Sequence, residues 1–169
     1  MNSPTLLVSV RSYPTGYPGS AEARDDVFVV AEADVEDLLA RLARPGSDDA
    51  YLEHQGRPRH VDPDDGEEAG DHVMYLAVVD RWAYLRYIGP ISDAPSLRGV
   101  PMVPLGDPAS PETHGTNNID YVGGSGMSVR AAGRALREFI ATGELPRSVR
   151  WARESDVETG LVHVLKRGA

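Results

Sequence analysis

The sequence predicts an α+β fold in a single domain, with a mainly antiparallel sheet, a central aromatic hairpin and two packed helices. Three observations lead to this prediction. At 169 residues the chain has the usual length of one domain. Most apolar runs are short and follow one another with turn residues between them, as consecutive strands do. Two segments instead repeat their apolar residues at helical spacing.

The first elements are predicted as a β-hairpin followed by a helix. Thr5–Val10 and Asp26–Val30 read as strands, and the segment YPTGYPGS between them carries turn-forming prolines and glycines. An amphipathic helix is predicted from Asp34 to Ala43, with Asp34 as its N-cap. A short strand is expected at Ala50–Glu53, and residues 54–72 are expected to form a mobile loop because they show no hydrophobic periodicity.

The clearest strand signal lies in the middle of the chain. Val73–Val79 and Trp82–Ile88 are apolar and aromatic runs separated by two residues, which predicts an antiparallel hairpin. The segment from Gly89 to His114 contains six prolines, so at most one short edge strand is predicted there, near Val100–Val103. A further strand is predicted at Ile119–Val122.

A glycine-rich segment, YVGGSGMS, leads into the second predicted helix. It lacks the Lys-Ser/Thr of a phosphate-binding P-loop, and Met127 stands where a serine-hydrolase elbow requires glycine. An acyl-CoA loop of the small N-acetyltransferases would need Arg or Gln at Asp120, where a carboxylate repels pyrophosphate. The interpretation favoured here is a structural turn, with Ser128 as the helix N-cap and Gly143 as its left-handed end. On that helix Phe139 is expected in the core, and the arginines are expected to form a solvated face.

No pattern for catalysis or metal binding emerges from the remaining polar residues. Cysteine is absent, and the five histidines do not have the spacing of metal ligands. The acidic loop does not match an EF-hand, because Val73 occupies the position that requires glutamate. We therefore expect no catalytic residues, no cofactor and no metal, and we expect that the protein is not an enzyme.

The negative charge is concentrated in the first half of the chain. The formal net charge is −9, and residues 1–80 contain 17 acidic and 6 basic side chains, whereas residues 81–169 contain 9 and 11. Such a distribution repels nucleic acids and anionic membranes and attracts a basic partner, although it would also serve solubility alone. No apolar run is long enough to span a membrane, and no signal peptide is recognised at the N-terminus. A cytoplasmic location is therefore expected.

Several segments together resemble the first-numbered Imm family of bacterial immunity proteins. They are YLAVVDRWAYLRYIG, GTNNIDYVGGSGMS, and the stretch MSVRAAGRALREFIATGELPRSVRWARES with its FIATG, Pro146 and Trp151. The resemblance covers about residues 30–156. The proline-rich segment, the N-terminal turn and the C-terminal tail depart from the family pattern, and Trp151 is expected in the core.

This resemblance implies an α+β inhibitor that binds and neutralises a cognate toxin of a polymorphic toxin system, with nucleic-acid deaminases as common targets. The expected partner is a toxin with a basic cleft, and the oligomeric state is left open. The predicted partner-binding residues are the acids of the loop and three aromatic residues of the hairpin: Asp62, Asp64, Asp65, Glu67, Glu68, Asp71, Trp82, Tyr84 and Tyr87. Sheet core is the alternative role for the aromatic residues. A small N-acetyltransferase-like enzyme and a regulatory module without a toxin partner remain alternative functions.

Overall fold

The computed structural model describes residues 4–12, 24–61, 63–64, 66–115 and 119–166. They form an α+β fold, as predicted. The strands are β1 (Leu6–Ser12), β2 (Arg24–Val30), β3 (Ser47–His54), β4 (Arg59–Val61), β5 (Glu68–Gly70), β6 (Val73–Val79), β7 (Trp82–Ile88), β8 (Met102–Pro104), β9 (Thr113–His114), β10 (Asp120–Tyr121), β11 (Met127–Ser128) and β12 (Trp151–Arg153). The helices are α1 (Val35–Leu42), α2 (Val129–Thr142) and α3 (Glu154–Thr159), and 3₁₀ turns lie at Glu32–Asp34 and Pro95–Leu97.

The main sheet has the strand order β12-β8-β7-β6-β3-β1-β2, and β11 also pairs with β7. Its neighbouring strands pair antiparallel. Two small hairpins, β4–β5 and β9–β10, lie outside this sheet. The short links between consecutive strands explain the antiparallel arrangement, because parallel neighbours need a long crossover.

Both predicted hairpins are paired in the structure. β1 and β2 align from Leu6↔Val30 to Ser12↔Arg24, although the predicted turn YPTGYPGS lies outside the described residues. β6 and β7 align over their full length in the interior of the sheet. Asp80 adopts a φ of 54°, in the left-handed region that a two-residue hairpin turn requires.

Helices α1 and α2 cover one face of the sheet. Their apolar sides are buried, and Leu136 and Phe139 of α2 have no exposed surface. Ser128 caps α2 by accepting a hydrogen bond from the amide of Ala131, and Gly143 ends the helix with a φ of 68°, as predicted. The expected role of Asp34 differs. It precedes α1, but its carboxylate accepts from the amide of Ala31 and so closes the preceding 3₁₀ turn.

Two other sequence predictions are corrected by the structure, and one helix had no prediction. The segment expected as a mobile loop contains the β4–β5 hairpin, whose three-residue strands are too short to show periodicity. The proline-rich segment contains two strands, and β8 is not an edge strand because β7 and β12 flank it. Helix α3 was not predicted, because its six residues carry no apolar stripe and none is buried.

The core has two parts, one on each side of the sheet. The larger part fills the space between the sheet and the helices and includes Trp151, which is 1% exposed. Its indole Nε1 donates to the carbonyl of Pro146 at 2.8 Å, so the core role predicted for Trp151 is confirmed. On the opposite face a smaller cluster contains Tyr84 and Tyr121 and lies beneath the β9–β10 hairpin.

Candidate partner-binding surface

The predicted acidic loop is the β4–β5 hairpin and its flanks, called the acidic hairpin below (residues 59–71). Asp62 and Asp65 lie outside the described residues. Asp64, Glu67 and Glu68 are exposed to solvent, as a contact with a basic partner requires. The turn itself contains Gly66 at a φ of 75°.

Asp71, the last acid of the predicted set, faces inward. Its carboxylate accepts hydrogen bonds from Nε and Nη2 of Arg57, and its Oδ1 lies 2.8 Å from Nδ1 of His72. Nε2 of His72 accepts from the amide of His54, so Nδ1 carries the proton of the neutral ring. Burial alone would raise the pKa of Asp71, but the hydrogen bonds from Arg57 and His72 outweigh it and hold the pKa below its ordinary value. Asp71 therefore serves the fold.

Two arginines fix the acidic hairpin to the rest of the molecule. Arg59 donates from Nη1 to Glu53 of β3 at 3.0 Å and from Nη2 to the carbonyl of Glu68 at 2.9 Å. Arg57 donates from Nη1 to the carbonyl of Gly143, at the C-terminal end of α2, at 2.7 Å. The exposed acids are thus presented on a segment that is tied to both the sheet and a helix.

The three predicted aromatic residues divide into two buried and one accessible. Tyr84 and Tyr87 are 0% exposed, and their hydroxyls donate to the carbonyls of Pro111 and Pro90, both at 2.7 Å. They belong to the core in this structure and present no surface to a partner. Trp82 is partly exposed, and the guanidinium of Arg81 lies 4.7 Å from its ring centroid. Of the three aromatic residues, only Trp82 is therefore retained as a candidate contact with a partner.

The structure reveals a second surface, the side of the sheet opposite α1 and α2, called the open face below. The β9–β10 hairpin and the cluster of Tyr84 and Tyr121 cover part of it. A row of side chains crosses five strands on this face, through the pairs Val27↔Ser9, Ser9↔Tyr51, Tyr51↔Tyr75 and Tyr75↔Arg86. The rings of Tyr51 and Tyr75 meet edge to face with centroids 5.6 Å apart. Alternating side chains on each strand produce the row, because every second residue points to the same face.

The buried polar groups on this side of the sheet form hydrogen bonds with one another. Tyr121 donates to Asp49 at 3.0 Å, and both residues are buried. Burial, followed by the nearby Asp49 carboxylate, raises the pKa of Tyr121 well above its ordinary value. Arg86 donates two hydrogen bonds to Glu154 of α3, at 2.7 and 2.9 Å, and this bond raises the pKa of Arg86. The network anchors α3 and the β9–β10 hairpin to the sheet.

The glycine-rich turn has no amides left for an anion at its centre. The amide of Gly124 donates to the carbonyl of Ser110, that of Ser125 to Val122, and that of Gly126 to Oγ of Ser110. A cradle for phosphate or coenzyme A needs free amides at these positions. The geometry therefore favours the interpretation of this segment as a structural turn.

Comparison with protein families identifies the chain. The family model described as Immunity protein Imm1 matches residues 23–153, which is more than half of the sequence. The chain belongs to the Imm1 family of immunity proteins. Comparisons with curated proteins and with solved structures found no match. The matched region runs from the start of β2 to the end of β12 and includes the acidic hairpin, whereas β1 and α3 lie outside it.

The described residues lack two features of other classes of protein. They contain no group of three or more histidine, aspartate or glutamate side chains placed to hold a metal ion. Among the helices of the described segments, none is long and apolar enough to cross a membrane. The two candidate surfaces for a partner are the acidic hairpin and the open face.

The open face could have been partly anticipated from the sequence. Val27 and Val29 alternate with Asp26 and Phe28 in β2, and this alternation signals a strand with two different faces. No sequence pattern indicates which face the helices cover. That choice depends on how the chain crosses the sheet.

Proposed function

We propose that this Imm1 protein protects the cell that makes it by binding a cognate toxin and occluding the toxin's active site. The acidic hairpin enters a basic cleft, where its carboxylates take the place of the substrate's phosphates. The toxin is a nucleic-acid deaminase or another enzyme whose cleft receives a polyanion, and the complex forms in the cytoplasm. Family membership supports the binding of a toxin, and the exposed acids support the manner of occlusion.

The observation that carries the proposal is the placement of Asp64, Glu67 and Glu68. They are exposed on a hairpin that two arginines hold to the sheet and to α2. Charges at the rim of an interface steer association and exclude wrong partners more than they set affinity. The acidic hairpin is therefore expected to govern how fast the toxin is captured.

The test uses the cognate toxin domain, which is sought first in the gene next to this one. Neutralising the hairpin with D64N, E67Q and E68Q together should slow association about tenfold or more at low salt and flatten its salt dependence. The matched control, E112Q, D120N and E158Q, removes the same number of exposed carboxylates of the same types from other elements. An equal effect of both sets, or an unchanged rate with the hairpin variant, would contradict the proposal. Co-expression with the toxin measures protection directly.

A further inference from the structure

The two edges of the main sheet differ in how they are covered. Along β12 the C-terminal segment forms a bridge, Ala152↔Val164, and the amide of Leu165 donates to the carbonyl of Trp151 at 2.8 Å. At the other edge lies β2, and within the described ranges no strand pairs with its outer side. Among the described residues, the backbone groups on that side have no strand partner.

β2 carries charged residues, one of the usual protections of an edge strand, only at its first three positions, Arg24 to Asp26. Its seven residues pair with β1 in one continuous register, whereas the pairing of β1 with β3 is interrupted by a shift. The strand RDDVFVV contains no proline and no lysine. Val27 is 64% exposed and Val29 is 54% exposed. The last four residues of β2, VFVV, thus form a regular apolar edge, which is a template for pairing with another chain.

The two sides of β2 offer different chemistry. Val27 and Val29 point to the open face, next to Ser9 and Leu7 of β1. On the other side an open groove of about 550 Å³ lies between β2 and α1. Its lining includes Phe28, the exposed carboxylates of Asp34 and Asp37, and two arginines, Arg41 and Arg44.

Acidic side chains outnumber basic ones in the segment that forms this groove, six to three over residues 24–44. Arg41 is paired with Asp26 and lies over the ring of Phe28, so this pair adds no net charge. In the lining, Asp34 and Asp37 then stand against Arg44 alone. The groove is therefore suited to basic side chains of a partner.

We propose that the partner adds a strand to β2. Its apolar side chains lie beside Val27 and Val29, and its alternate, basic side chains enter the groove beside Asp34 and Asp37. This inference rests on the proposed function, because the strand belongs to the cognate toxin. Backbone hydrogen bonds along an added strand supply affinity, and the alternating pockets supply specificity.

The β2 edge and the acidic hairpin lie close enough for one toxin to contact both. Val29 pairs with Leu7, Leu7 pairs with Glu53, and Glu53 binds Arg59 of the hairpin. Three adjacent strands span about 10 Å, which is well within one interface of ordinary size. A second copy of this chain is a poorer occupant, because two chains with a net charge of −9 repel each other.

Hydrogen exchange and one double variant test the proposal with the same cognate toxin domain. In the complex, amides on the outer side of β2 should exchange more slowly than in the free protein. The variant V27E/V29E should weaken equilibrium binding about 30-fold or more. Glutamate retains the attraction for a basic partner, so the loss reports on strand contact rather than on charge. The control L161E/V162E adds the same charge at two exposed apolar positions and should bind normally.

The outcomes separate the two proposals. Normal binding by V27E/V29E, with unprotected β2 amides in the complex, would overturn strand addition and leave the proposed function standing. Absence of toxin binding by the unmodified protein would overturn the proposed function and, with it, the strand addition that depends on it. Protection of β2 that grows with protein concentration and needs no toxin would identify a second copy as the occupant, and would also overturn the proposal.

Discussion

Arg57 and Asp71 form a two-pronged ion pair, with Nε at 2.9 Å from Oδ1 and Nη2 at 3.0 Å from Oδ2. Their side chains are only 12% and 15% exposed. The pair joins Arg57, which lies two residues before β4, to Asp71 at the end of the acidic hairpin. Arg57 also donates to the carbonyl of Gly143 at the end of α2. One carboxylate of an acidic stretch is thus used to hold the others in position.

Removal of this carboxylate charge should destabilise the fold. Asp71→Asn leaves a largely buried guanidinium without its counter-ion, and we expect the free energy of unfolding to fall by about 2–3 kcal/mol in urea denaturation. Asp120→Asn is the matched control, because Asp120 also lies beside a histidine, His114, but both are exposed. It should change stability little. Equal effects of the two substitutions would contradict the structural role of Asp71.

The free energy of unfolding should decrease as the pH is lowered, over a range set by the pKa of His72. Burial lowers the pKa of His72 below the ordinary value of 6.5, against the opposing effect of the hydrogen bond that its Nδ1 donates to Asp71. The unfolded chain therefore binds this proton first, and the free energy of unfolding should decrease as the pH falls below about 6.5, until the pKa of the folded state is passed. Asp71, whose pKa is also lowered, adds a loss below its unfolded value of 3.8. Urea denaturation at several pH values, with NMR titration of the His72 ring, measures this. A ring pKa above 6.5 would be inconsistent with it.

Two glycines near the glycine-rich turn should differ in their tolerance of alanine. A Cβ on Gly106 would lie 2.1 Å from the carbonyl oxygen of Gly126, so Gly106→Ala requires the backbone to move. A Cβ on Gly124 meets nothing within 4 Å, but its φ of 82° is unfavourable for alanine. We expect Gly124→Ala to cost about 1 kcal/mol and Gly106→Ala clearly more. Thermal denaturation of both variants gives the comparison. A larger loss of stability for Gly124→Ala than for Gly106→Ala would show that close packing does not require glycine at position 106.

Tyr84 should contribute to stability and not to partner binding. Tyr84→Phe removes the hydroxyl that donates to Pro111 and leaves a carbonyl without this partner, at a cost of about 1 kcal/mol. Because the ring is fully buried, the affinity for the toxin domain should not change. Trp82→Ala removes a partly exposed ring and should weaken binding. Calorimetric titration of both variants measures the affinities. Weakened binding by Tyr84→Phe at full stability would place Tyr84 in the interface.

The family match bears out the resemblance found in the chain, and it covers the segments that suggested it. The motifs that carried this resemblance are local ones. Phe139 lies on the buried side of α2, Gly143 ends this helix, and Trp151 fills the core. Their spacing can therefore be recognised as a sequence pattern. Contacts between distant segments leave no such pattern, which explains why the placement of β8 between β7 and β12 was missed.

What the sequence determined by itself was the identity of the long elements: the two paired strands at Val73–Ile88, the helices with one apolar side and the acidic character of the first half. Periodicity, turn residues and charge are properties of neighbouring residues, so they can be read without a fold. Only the tertiary structure decided that Asp71 faces inward, that Tyr84 and Tyr87 are buried and that β2 is the last of the described strands at one edge of the sheet. Each of these depends on which distant segment packs against the residue, because burial and pairing arise from contacts far apart in the chain.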